Sequence, residues 1–147
     1  SQVPAFRMLD VSLPRYLDLD SLGIRWVENA GITPVRIPCG QGQTVRFLHG
    51  HEVKGSSRTP GGHALKIAKL LGENVHIGHT HRLGLLMAPL TSKGRRKEIF
   101  GIEGGLLANM RSPALSYAGP APEWVYSWSM YDSKDKSSPY PKFFRPV

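Results

Sequence analysis

The sequence predicts an α/β domain with a mixed sheet, and three observations predict it. Two short apolar runs, Val45–Leu48 and Val75–Gly78, bracket a stretch at helical spacing between Pro60 and Leu71, which is the order of a β-α-β unit. Leu83–Pro89 and Lys97–Ile102 are two further extended runs across a turn at Thr91–Arg96, which reads as an antiparallel hairpin. Four of the six histidines fall in two tight clusters, His49-Gly50-His51 and His79-Thr80-His81, one at the end of each β run of the β-α-β unit. That is the edge on which open α/β sheets place their ligands.

In chain order, Ser1–Leu22 has helical character interrupted by Pro14, and Gly23–Val27 alternates as a half-buried strand before the turn residues Asn29-Ala30-Gly31. Pro34–Thr44 reads as a loop or irregular strand, because Pro34 and Pro38 cannot donate within a central ladder. Val45-Arg46-Phe47-Leu48 is a buried-strand signal that stops at His49. Thr59-Pro60 opens the helix, Ala64, Leu65, Ile67, Ala68, Leu70 and Leu71 supply its apolar positions, and Gly72 ends it. Val75-His76-Ile77-Gly78 delivers His79 and His81. Beyond the hairpin, Gly104-Gly105 opens a loop-rich stretch to Glu123. Trp124–Tyr131 then reads as a closing strand, with Trp124, Tyr126, Trp128 and Met130 on one face. Core or sheet packing is the expected role of that face, ahead of base stacking. The tail from Asp132 reads as a turn and a draped terminus.

The 147 residues are expected to form a single domain, 1–147, and an apolar fraction of 40% is enough for a sizeable core. No apolar run approaches the ~18 residues of a membrane span. The N-terminal residues carry no export signal, and Cys39 is the only cysteine, so the expectation is a cytoplasmic protein without membrane partners. A lone cysteine without CxxC spacing argues against a zinc finger. The net charge of +8 favours an anionic partner, either a phosphorylated substrate or nucleic acid. Its one dense cluster, Lys93-Gly94-Arg95-Arg96-Lys97, reads first as the solvated tip of the hairpin.

Paired imidazoles at a strand end can ligate divalent metal through neutral nitrogens, and a separation of 30 residues between the clusters leaves room for one crossover helix. His76, inside an apolar run, is expected to be a packed residue. His63, at the helix start, is expected to face solvent.

The string Gly78-His79-Thr80-His81-Arg82 resembles the last signature of the calcineurin-like metallophosphoesterases. Phe47-Leu48-His49-Gly50-His51 resembles the strand and metal histidine before it. Phe100-Gly101-Ile102-Glu103-Gly104-Gly105 resembles the strand and glycine turn after the hairpin, and Leu17–Val27 is similar to the segment that follows the Gly-Asn-His motif in phage and bacterial members. The resemblance covers nearly the whole chain. It implies the C-terminal half of an αββα sandwich with a mixed sheet. His49 and His79 would ligate one of two divalent metals (Mn, Zn or Fe), His81 the other, with His51 behind them. A hydroxide bridging the metals would hydrolyse a phosphomonoester or phosphodiester. Arg82 would bind substrate phosphate or, equally, form a structural ion pair.

The family's earlier Asp-x-His, Gly-Asp and Gly-Asn-His signatures are not in this sequence. The resemblance therefore implies a complementary N-terminal chain or a homo-oligomer that supplies the remaining ligands and covers the open side of a half-sandwich. Two alternatives stand beside this reading: a non-catalytic scaffold of the same fold, and a basic nucleic-acid-binding module using Lys93–Lys97.

Overall fold

Alternation along each strand sorts the side chains of one central sheet onto two faces, and each face collects its own apolar cluster. The computed structural model describes residues 17–24, 35–55, 57–92, 94–108, 113 and 123–145. Its elements are β1 (Val35–Pro38), β2 (Thr44–Leu48), α1 (Gly62–Leu71), β3 (Asn74–Ile77), β4 (Leu83–Ser92), β5 (Arg95–Gly104), β6 (Trp128–Met130) and β7 (Lys142–Phe144). Five strands form a mixed sheet in the order β1-β2-β3-β5-β4, and β6 and β7 form a separate two-stranded ribbon. The chain is thus α/β with a mixed sheet. β2, β3 and β5 run parallel, while β1 and β4 are antiparallel edges.

The β-α-β unit forms over the predicted residues. Ala64, Ile67 and Ala68 of α1 recur at helical spacing and pack on Val75, Ile77 and Ile99 of the sheet. Gly72 closes the helix at φ 69°, donating its N–H to Ala68, a conformation glycine adopts without strain. Of the apolar helix positions, Leu70 lies outside the core and is 66% exposed. The hairpin forms too, with longer arms than the sequence suggested. Pairing runs from Leu83↔Gly104 to Ser92↔Arg95. Two residues remain for the turn, where Gly94 takes φ 75°.

Three expectations change. The Pro34–Thr44 stretch contains a real strand, β1. Its position at the sheet edge is what makes Pro38 acceptable there. The Trp124–Tyr131 segment does not close the sheet. Trp124 and Tyr126 make isolated bridges to Arg82 and Leu106, and only Trp128–Met130 is a regular strand, paired with β7. Its aromatic face also points outward: Tyr126, Trp128 and Met130 are exposed and Ser127 on the other face is buried.

The sheet face away from α1 is covered by the chain itself. Tyr131, Tyr140 and Phe143 pack on Cys39, Val45, Phe100 and Ile102. Among the described residues no helix is long and apolar enough to cross a membrane. The helical reading of Ser1–Leu22 and the strand at Gly23–Val27 fall mostly outside the described residues.

Candidate functional site

The parallel register of β2 and β3 sets Leu48 beside Ile77, so both strands release their chains at the same level, and His49 and His79 emerge together. The His49 and His79 ring centroids are 4.7 Å apart. His51 joins them at 4.9 Å from His49 and 6.2 Å from His79. Nδ1 of His49 and Nδ1 of His51 lie 2.8 Å apart and share one hydrogen bond. Two donors on one ion with bonds of ~2.1 Å would stand roughly 3 Å apart. His51 is thus as close to His49 as His79 is, nearer than a supporting residue needs to be. The His81 ring packs edge-on to Trp124 at 4.6 Å. Among the described residues no three His, Cys, Asp or Glu side chains are disposed to hold an ion by themselves.

Both residues of the second cluster sit in left-handed backbone, His79 at φ 30° and His81 at φ 57°. Non-glycine residues reach that region at an energetic cost and hold it only where surrounding contacts enforce it, as functional turns do. The enforcing contact here is Glu103, which is fully buried at the end of β5. Its carboxylate accepts from Thr80 Oγ1 at 2.9 Å, from Arg82 Nε at 2.9 Å and Nη2 at 3.1 Å, and from the His63 N–H at the start of α1 at 3.2 Å. One carboxylate therefore ties the histidine turn, the hairpin and the helix N-terminus together. Nη1 of Arg82 donates to the carbonyl oxygens of Ser57 and Arg58 and to Glu123. Of the two readings of Arg82, the geometry is that of the ion pair.

The first cluster has its own clamp. Glu52 accepts from the backbone N–H of His49 at 3.1 Å and of Gly50 at 2.6 Å. Partial burial opposes the charge on Glu52, but the backbone donors outweigh it and hold the carboxyl below its usual range. His79 is shifted below the usual histidine value by desolvation and then by its neighbours His49, His51, His81 and His63, and His81 by desolvation and then by His49. Neutral imidazole is the form that ligates metal.

His63 corrects its expectation. It is 4% exposed, not solvent-facing, because the first turn of α1 is pressed against the strand ends. Its Nε2 bonds the Gly50 carbonyl at 2.9 Å, which places it directly behind the first histidine cluster, and its buried Nδ1 has no partner. Sequence reasoning missed Glu52, Thr80 and Glu103. The only available signal was a carboxylate three residues after His49 and another inside an apolar strand.

His76 is packed, as expected. It stacks on Phe47 at 4.9 Å and shares a 2.9 Å hydrogen bond with the Tyr131 hydroxyl. Burial lowers its pKa to about 4 and raises that of Tyr131 above its usual value, so both are neutral. Between about pH 4 and the unfolded value of 6.5, the unfolded chain binds a proton that the fold refuses. Stability from His76 is therefore complete above about 6.5 and declines as pH falls toward 4. The full span amounts to roughly 3 kcal/mol. Urea midpoints taken from pH 7.5 down to 4.5 should fall more steeply in the wild type than in His76→Gln, and identical slopes would refute the assignment.

A cleft of ≈520 Å³ lies at the opposite ends of the central strands. Its polar groups are satisfied locally: Asn74 by Gln43 and Thr44, Tyr140 by Glu98, Lys97 by Gly72. A smaller cleft of ≈330 Å³ opens beside the histidines and has Gly78, Gly105 and Trp128 in its walls. No protein family, curated protein or solved structure matches the chain.

Proposed function

We propose that this chain is the C-terminal part of a metallophosphoesterase-type αββα domain and takes part in metal-dependent hydrolysis of a phosphate ester. The observation that carries this reading is the convergence of His49 and His79 where two neighbouring parallel strands end, with His79 and His81 both held in left-handed backbone.

The donor set fits borderline divalent ions, since imidazole nitrogens suit them and the His49, His51 and His79 rings are close-set, but it is a partial set. The remaining carboxylate and amide ligands would come from a segment outside this sequence. When bound, two such ions supply charge neutralisation and an activated water for in-line attack on phosphorus. The chain's own residues have simpler tasks. His49, His79 and His81 present nitrogen donors, Glu52 and Glu103 fix the loops that carry them, and Arg82 holds Glu103 in place through two hydrogen bonds. The second reading is a non-catalytic scaffold of the same fold, favoured by the absence of the Asp-x-His, Gly-Asp and Gly-Asn-His signatures from this sequence.

Titration calorimetry with Zn²⁺ or Mn²⁺ tests the metal claim. His79→Ala and His49→Ala should each weaken binding by at least the roughly 10–100-fold associated with residues merely behind a ligand. Unchanged affinity would overturn the ligand assignment. Hydrolysis of bis(p-nitrophenyl) phosphate should appear when the chain is combined with an upstream segment bearing Asp-x-His, Gly-Asp and Gly-Asn-His. No metal-dependent hydrolysis in the combined sample leaves the scaffold reading.

A further inference from the structure

The aromatic run after Glu123 was expected to pack inside the domain, yet Tyr126 is 41% exposed and Trp128 43% exposed. Exposed aromatics at period two need a reason, since burying them is favourable. Their placement supplies one. The run begins at the histidine turn: Val125 donates its N–H to the His81 carbonyl at 3.0 Å, and the Trp124 ring lies against the His81 ring. It continues along Gly105 and Leu106, with Leu106 N–H donating to Val125 and Ser127 N–H to Leu106. It thus leads from the candidate metal ligands to the ≈330 Å³ cleft, whose walls include Gly78, the residue before His79, and Trp128.

The Trp128 wall is flat and fixed in advance. β7 pairs Phe144 directly opposite Trp128, on the same face of the ribbon, and the two rings stack at 4.1 Å with 14° between planes. That stack holds the indole on one side and leaves it available on the other. Phe47, the neutral His76 and Leu107 complete an apolar lining. A volume of ≈330 Å³ is at the small end of ligand clefts, right for one ring system and not for a whole chain of nucleotides. The ribbon carries the exposed Lys142, with the exposed Arg145 just beyond it, and Asp135 lies close enough to Lys142 to feel its charge. A protein of net charge +8 with exposed aromatics on this ribbon suits an anionic partner that also presents flat rings.

We propose that this cleft is a base-stacking subsite for single-stranded nucleic acid, with Trp128 as its platform, seating one base beside the phosphodiester presented to the histidines. The assignment deepens the phosphoesterase reading and rests on it for the role of the bound strand, though not for the binding itself.

Fluorescence anisotropy of a labelled dT12 oligonucleotide, compared with an abasic strand of equal length in EDTA, tests it without turnover. The chain should bind dT12 roughly tenfold more tightly than the abasic strand. Trp128→Ala should abolish that difference while leaving abasic binding unchanged, and Trp128→Phe should restore most of it. Circular dichroism at matched temperature identifies a variant that has failed to fold, in which case the Phe variant decides. Equal affinity for the two strands in the wild type, or a preference that survives Trp128→Ala in a folded protein, overturns the subsite. Metal titration of the same protein in EDTA-free buffer separates the two claims. Base preference without metal binding, in this chain or in the sample combined with the upstream segment, supports the subsite and removes the phosphoesterase reading. Metal binding without base preference overturns the subsite alone.

Discussion

Glu103→Leu is expected to lower folding stability by about 3–5 kcal/mol, because it leaves the Arg82 guanidinium buried without its counter-charge. The Arg82 side chain is 10% exposed and that of Glu103 fully buried, joined by two hydrogen bonds. Glu123, the other acidic partner of Arg82, is 56% exposed and is too well solvated to compensate. The same substitution removes the acceptor for Thr80 and for the His63 N–H, so the loss should extend to the histidine turn. Replacing both partners, Arg82→Met with Glu103→Leu, removes the stranded charge and should recover a large part of the loss. Metal affinity should not recover with it, since Thr80 and the helix N-terminus still lack their acceptor. Urea denaturation of the two single variants and the double variant gives the coupling energy. A Glu103→Leu protein within about 1 kcal/mol of wild type would show that the pair is not the anchor described.

The legible parts of this chain are those written at short range. Helical spacing of Ala64, Ile67 and Ala68, with Gly72 to stop it, is a local signal, and so are the two β runs that frame it. Those elements force the parallel pairing of β2 with β3, and with it the meeting of His49 and His79. What alternation cannot give is which face is inside. Trp124–Met130 has the right period, but the identity of its covered face depends on Gly105 and Leu106 running alongside, and the small side of the strand is the one buried. The hub at Glu103 was hidden for a similar reason. It joins residues 21, 23 and 40 positions away, and a lone carboxylate in an apolar strand does not announce its partners. His63 was misplaced because a helix N-terminus looks alike in sequence whether it meets water or a strand end.

Gly101→Ala should destabilise the fold by about 3 kcal/mol or more, while Gly78→Ala, inside the histidine motif, should cost less than about 1 kcal/mol. The contrast follows from where each added methyl would go. At Gly101 it would strike helix backbone, the Leu65 nitrogen and Cα and the Ala64 carbonyl carbon, none of which can rotate aside. At Gly84, two residues along β4 from the partner of Gly101, it would strike the backbone of Pro60 and Gly61. The two glycines make the shallow bed on which α1 and its lead-in lie, close enough for the His63 N–H to reach Glu103. Gly78 is different: the nearest atom to its methyl is the His49 carbonyl oxygen at 3.9 Å, an ordinary contact. Urea midpoints of the two alanine variants measure the difference. If Gly101→Ala unfolds with the wild type while Gly78→Ala does not, the close approach of helix and sheet is not what holds α1 in place, and the path from β5 through Glu103 to the histidine turn loses its support.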